Sequence, residues 1–325
     1  MTKPSLNPRI FVTGISGQLG QEVFRSWVGK AELFGTCIEK DWKVEGAPVF
    51  QLDLTDKSSL RSLIQKIKPE IIINCAAFTA VDAAEEQREL CHELNAEVPS
   101  VLAEEAAVLN ALLIHISTDY VFDGSGETPR KETESPQPLN QYGVSKRLGE
   151  RKVETVGGRY VILRTSWVFS PVGGNFVKTM IRLGKTKREL RVVSDQIGAP
   201  TSVAELNKAI NSVVSVYLSD REAFSQLHSG VYHAACGGET SWADFANKIF
   251  RNCKELGIEL MVERVEPIAT AQYPTPARRP LNSRLCCDRL EEHFGVRLLP
   301  WEDALWPVMS ELCGMSSALK DSEGG

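Results

Sequence analysis

The chain has 325 residues, 42% of them hydrophobic and 24% charged, with a net charge of −5. That length suits one large domain or two joined ones, and the acidic balance leaves no basic footprint for a nucleic-acid partner. No apolar run reaches membrane-span length, and the opening "MTKPSLNP" lacks the apolar core of a signal peptide. Eight cysteines form no CxxC pair and five scattered histidines offer no metal-ligand spacing. The expectation is a cytoplasmic protein with buried, reduced thiols, no metal site and no membrane partner.

In chain order, short apolar runs alternate with helical patterns. "RIFVTG" reads as a strand and runs into a helix over 18–28. "LFGTCI" and "VFQLDL" are the second and third strands, and Asp56 caps the helix of "DKSSLRSLIQKIKP". "EIIINCAA" is the fourth strand, "ELNAEVPSVLAEEAAV" a helix, "ALLIHIST" the fifth strand, "YGVSKRLGERKVE" a helix and "RYVILRTS" the sixth strand. Apolar strands separated by helices predict parallel pairing buried on both faces, hence an α/β doubly wound, Rossmann-type sheet. After Trp167 the rhythm loosens into segments such as "SPVGGN" and "AQYPTPARRPLNS". We therefore expect a dinucleotide-binding domain over 1–166, completed by elements within 190–228, a mainly substrate-binding domain over 167–310, and a disordered tail over 311–325.

Gly14, Gly17 and Gly20 follow the first strand at a spacing of three. The first permits a turn, the second lets backbone approach a pyrophosphate, and the third permits close helix packing. Gln18 and Leu19 lie on the helix turn whose free N–H groups and positive dipole end attract phosphate. About twenty residues on, Glu39 suits the ribose diol of NAD and Lys40 the 2′-phosphate of NADP. The signals conflict, and Lys40 tilts the choice toward NADPH, with NADH open. Asp53, beside Leu54, either reaches the adenine amine or closes a turn. Ala76 and Ala77 end the fourth strand, where small side chains allow a cofactor or a helix to lie close.

Tyr142 and Lys146 are four apart and share one helix face, while Thr118 ends the fifth strand, bordering the crevice where open α/β sheets bind ligands. A carbonyl that accepts a hydride needs a proton and a hydrogen bond for its oxygen. Tyrosine supplies the proton, a neighbouring ammonium lowers its pKa, and a threonine hydroxyl orients the carbonyl.

The glycine pattern, Thr118 and the Tyr142/Lys146 pair resemble an extended short-chain dehydrogenase/reductase. More specifically, "NCAAFTAVDAAE", "STDYVFDG", "PLNQYGVSKRLGE", "RTSWVFSPVGGNFVKTM", "DQIGAPT" and "YPTPARRPLNSRL" resemble the dTDP-4-dehydrorhamnose reductase family, from the glycine loop to about Leu305. The resemblance implies reduction of the 4-keto group of dTDP-4-dehydro-L-rhamnose to dTDP-L-rhamnose, with Thr118, Tyr142 and Lys146 as the catalytic set. It also implies that Ala76, Ala77 and Thr79 border the cofactor. Val81, Asp82, Asp119, Trp167, Asn175 and Phe176 then line the nucleotide-sugar site, and Arg278 or Arg279 clamps its diphosphate. The expected partners are the nucleotide sugar and, in assembly, a second copy of the chain.

Two alternatives stand beside this reading. Related dehydratases follow the central threonine with Asp-Glu, whereas Thr118 precedes Asp119 and Tyr120, which disfavours dehydration and leaves a reductase or epimerase of another keto-sugar. The methionine adenosyltransferase β subunit resembles these reductases and acts through a partner protein. Retention of the site residues speaks against that role here.

Overall fold

The computed structural model describes residues 7–224 and 228–314. Strand β1 (Arg9–Thr13) leads through the turn of Gly14 into helix α1 (Gln18–Trp27), followed by β2 (Glu32–Cys37), β3 (Val49–Gln51) and α2 (Lys57–Ile67). Asp56 caps α2 by accepting from the Ser59 amide. After β4 (Ile71–Asn74) come α3 (Arg88–His92), α4 (Val98–Leu109), β5 (Leu112–Thr118), α5 (Gln141–Val156) and β6 (Arg159–Thr165).

These six strands and a seventh, Gly230–His233, form one parallel sheet. Its order is β3–β2–β1–β4–β5–β6 with Gly230–His233 at the far edge. The chain leaves β1 toward β3 and then returns to the other side of β1 as β4, so the switch point lies where their carboxyl ends diverge. Open α/β sheets bind ligands in that crevice. Alternate strand residues feed two cores, Ile10, Val12, Ile73 and Ile114 on one face and Phe11, Ile72 and Leu113 on the other. Burial on both faces explains the unbroken apolar runs.

The helix expected over 93–108 divides: Glu93–Glu97 forms a π-helical turn before α4. Asn95 in this turn accepts from the Phe78 amide at 2.8 Å and donates to the Phe78 carbonyl at 3.0 Å and to Ser145 Oγ at 3.0 Å. One side chain thereby ties the loop after β4 to α5, an interaction that hydrophobic periodicity does not report.

After β6 the chain interleaves. The helix Val203–Ser219 packs on α1, where Trp27 donates its indole N–H to Asn211 at 2.8 Å. The seventh strand then begins at Gly230, just past the 190–228 window expected to complete the sheet. Short strand pairs and the helices Phe176–Gly184 and Trp242–Glu255 make up much of the remainder. A last helix, Trp301–Leu312, runs into the segment expected as a tail, whose residues from 315 onward lie outside the described ones. All eight cysteines are free, but Cys75, Cys286, Cys287 and Cys313 are only half-buried rather than enclosed.

Candidate active site

The carboxyl ends of the strands border a cleft of about 880 Å³, lined together by the glycine turn, Thr118, Tyr142, Lys146, Trp167 and Arg279. The three glycines have separate physical reasons. Gly14 has φ +67°, and a Cβ there would lie 2.8 Å from Ala76 Cα. At Gly20 a Cβ would lie 2.0 Å from the Gly14 carbonyl oxygen. A Cβ on Gly17 would meet only that oxygen, at 3.3 Å, and otherwise enter open space. Gly14 and Gly20 are bare for packing, whereas Gly17 is bare toward the cleft.

Gly17 is the N-cap of α1, makes no side-chain cap and is followed by no acidic residue in the first turn. The first N–H groups of α1 are thus left to an anion. That cradle fits the pyrophosphate of a dinucleotide, which the N–H groups of Gln18 and Leu19 could hold, while the Gly17 N–H closes the turn on the Gly14 carbonyl at 3.0 Å and its missing side chain leaves the approach open. Ala76, Ala77, Thr79, Asp53 and Leu54 also line the cleft. Asp53 uses Oδ1 to accept from the amide and hydroxyl of Thr55 at 3.0 and 2.8 Å, the turn-closing role. Glu39 and Lys40 are exposed just past β2 and off the cleft wall, where Cys37 and Ile38 stand instead.

The cluster of Thr118, Tyr142 and Lys146 is set by α5. Asn140 caps the helix through Gly143 N at 2.8 Å. A Cβ on Gly143 would sit 2.2 Å from the Tyr120 carbonyl oxygen, so only glycine lets the first turn press against the end of β5. Tyr142 is consequently buried, lines the cleft together with Thr118, and its ring meets Tyr120 edge-on at 5.6 Å. Thr118 Oγ1 donates to Asp119 Oδ1 at 3.0 Å and accepts from Tyr120 N at 3.1 Å. Lys146 is 2% exposed and donates to the Ile116 carbonyl at 2.6 Å.

Burial dominates the electrostatics. It draws Lys146 down from 10.5 to about 8, against the opposing pull of Glu150 and Cys91. It pushes Asp119 up to about 6, partly offset by hydrogen bonds from Ser283 and Thr118. It also pushes the Tyr142 phenol well up, with the Thr118 hydrogen bond only partly opposing. The expected lowering of this phenol by the neighbouring ammonium is not found: desolvation governs the Tyr142 hydroxyl, and Thr118 rather than Lys146 opposes it.

Toward the substrate end, Trp167 adopts φ +47° and stacks on Trp242 at 3.6 Å with 13° between planes. Trp242 is itself held by its indole N–H on Gln196 Oε1 at 3.1 Å and by Phe176 at 4.6 Å. Of the two arginines, Arg279 lines the cleft and pairs with Asp82 at 2.7 Å. Arg278 is exposed, off the cleft wall, with its carbonyl on Asn140 Nδ2 at 2.8 Å. Val81 and Asp119 line the cleft, and Asp82 reaches it through Arg279. Asn175 caps the helix Phe176–Gly184 and bonds Gln18, so it stands with the glycine turn.

Two features in and beneath the cleft escape a motif search. Trp242 lines the cleft from a separate helix, and nothing in its local sequence marks it. Beneath the cluster lies a buried ion pair. Glu150 accepts from Arg164 at 2.7 and 2.8 Å, from Ser117 Oγ at 2.6 Å and from Arg147 at 2.9 Å. Burial alone would raise its pKa, but Arg164 holds Glu150 below the usual carboxylate range. The only sequence signal was its place one turn beyond Lys146.

A glycine turn at the switch point, with a Tyr–Lys helix face opposite a strand-end threonine, defines the short-chain dehydrogenase/reductase class of fold and site. The chain is 38% identical over 306 residues to a dTDP-4-dehydrorhamnose reductase of Burkholderia thailandensis, covering 94% of this chain and 99% of that one. Among solved structures it is similar to a dTDP-4-dehydrorhamnose reductase from Clostridium acetobutylicum, with TM-score 0.83, 37% identity and 93% and 99% of the two chains covered. A dTDP-4-dehydrorhamnose reductase of Bacillus anthracis in complex with NADP gives TM-score 0.80 and 35% identity, covering 94% and 99%. The family model described as the RmlD substrate binding domain matches residues 8–313, and the chain belongs to that family.

Proposed function

We propose that this chain is an NAD(P)H-dependent reductase that converts dTDP-4-dehydro-L-rhamnose to dTDP-L-rhamnose by reducing its 4-keto group. The convergence of Thr118, Tyr142 and Lys146 in the cleft of the glycine turn carries the reading. The named reductases of the same family, one of them solved with NADP, support the substrate and cofactor.

When bound, the dinucleotide supplies the hydride; this chain's residues do the rest. The phenol of Tyr142 starts protonated, the ordinary state of tyrosine at neutral pH, and burial favours that neutral form further. It gives that proton to the sugar oxygen as negative charge develops there, since an alkoxide is a stronger base than even a desolvated phenolate. Lys146, held on the Ile116 carbonyl, stabilises the resulting phenolate and keeps further N–H donors for the cofactor ribose. Thr118 commits its one hydroxyl hydrogen to Asp119, so hydrogen-bonding the substrate oxygen requires that hydroxyl to rotate. Trp167 offers an apolar face to the deoxysugar, and Arg279 presents N–H donors toward the diphosphate. The free thiols support a reducing, cytoplasmic location.

The test is loss of NADPH or NADH absorbance on adding dTDP-4-dehydro-L-rhamnose, with the product identified by NMR. Turnover to dTDP-L-rhamnose is expected. Tyr142→Phe should lower it by about 100-fold or more while cofactor binding persists, as removal of a general acid does. Absence of turnover with either cofactor, or normal turnover in Tyr142→Phe, would overturn the reading.

A further inference from the structure

Gln18 opens α1, so its backbone N–H belongs to the anion-binding turn, yet its side chain serves a different segment. Its Oε1 receives Ser170 Oγ at 2.9 Å and Asn175 Nδ2 at 2.9 Å, and its Nε2 donates to the Gly174 carbonyl at 3.3 Å. These partners lie 152, 157 and 156 residues away along the chain. Ser170 divides its one hydroxyl hydrogen between Gln18 and the Val172 carbonyl at 2.7 Å, which keeps the segment folded back on itself. Asn175 spends its second Nδ2 hydrogen on the Ser170 carbonyl at 2.8 Å and accepts from Lys178 N at 3.2 Å as a helix cap.

The backbone of this segment comes close because it is bare. Gly173 has φ +66°, and a Cβ there would lie 2.9 Å from Gln18 Cγ. Gly174, Asn175 and Phe176 line the same cleft as Gly14 and Gly17. The segment 170–175 is therefore a strap beside the first turn of α1, fastened to it by one glutamine.

We infer that Gln18 is a positioning residue that latches the strap 170–175 over the pyrophosphate end of the dinucleotide site, so that the dinucleotide leaves only when these bonds open. This rests on the dinucleotide reading above. The latch acts on departure: it lengthens the residence of a bound dinucleotide without adding a contact to the reacting atoms.

The test is stopped-flow displacement of bound NADPH, followed by its fluorescence, in the wild type and in Gln18→Met, Asn175→Ser and the double variant. Gln18→Met keeps the aliphatic stem under Gly173 but removes the hydrogen bonds. Asn175→Ser keeps a good helix cap while being too short to reach Gln18. Each single variant should release NADPH about tenfold faster, the scale of one polar interaction, with association changed by less than about twofold. The double variant should be no faster than Gln18→Met alone, because that variant already removes every bond of the latch. Dissociation at the wild-type rate in Gln18→Met would overturn the latch while leaving the dinucleotide reading intact. Additive effects in the double variant, or a loss of melting temperature with slower association, would assign Gln18 a merely structural role and also overturn it. Failure of the wild type to bind NADPH or NADH would remove both readings.

Discussion

Lys146→Met should abolish turnover and yet leave the protein no less stable at neutral pH. Lys146 is 2% exposed, and burial lowers its pKa from 10.5 to about 8. A displacement of about 2.5 units means that holding the ammonium in this site costs about 3 kcal/mol. Methionine removes that cost but leaves the Ile116 carbonyl without its donor, a loss of about 1–3 kcal/mol. At pH 7 the variant is therefore expected to be between equal to the wild type and about 2 kcal/mol more stable. The sign of the pH dependence follows from proton counting. Between about pH 8 and 10.5 the unfolded chain still holds the lysine proton that the folded chain has released, so wild-type stability gains from rising pH. The variant lacks that gain, and groups common to both proteins drop out of their difference. Urea denaturation of both at pH 7, 8, 9 and 10 should show the variant's advantage shrinking and then reversing. A stability difference independent of pH would refute the argument that the active site holds this charge against its desolvation.

Other outcomes follow from the same geometry. Gly17→Val should weaken NADPH binding at least about 100-fold, as loss of a phosphate cradle would, while shifting stability by no more than about 1 kcal/mol, since its Cβ meets only one atom, at 3.3 Å. Isothermal titration beside a melting curve distinguishes this from Gly20→Ala, whose Cβ would collide with the Gly14 carbonyl at 2.0 Å and should unfold the turn. Glu150→Gln should cost about 3–5 kcal/mol in denaturant unfolding, because it strands the Arg164 guanidinium in the interior. Adding Arg164→Met should recover most of that loss.

Much of the molecule is legible in its sequence because the interactions responsible are local. Two-faced burial writes strands as continuous apolar runs, and β1, β4, β5 and β6 are found where those runs stand. Asp56 caps α2 because a carboxylate three residues before a free amide satisfies it wherever the chain goes. Tyr142 and Lys146 share a helix face by the geometry of the helix itself.

Other decisions required distant residues to meet. That Arg279 rather than Arg278 faces the cleft depends on Asp82, nearly two hundred residues earlier, being there to receive it. Trp242 joins Trp167 only because a separate helix brings the two rings to 3.6 Å. The Tyr142 phenol is pushed above its ordinary pKa rather than below it because folding desolvates it, an effect set by everything packed around the ring and by no motif. The sequence by itself therefore determined the sheet, the glycine turn and the shared helix face of Tyr142 and Lys146, all products of spacing and of burial pattern. Tertiary structure alone decided which groups face the cleft, in which direction their pKa values move and which segment bonds to Gln18 beside the glycine turn, because orientation and dielectric arise from contacts between residues remote along the chain.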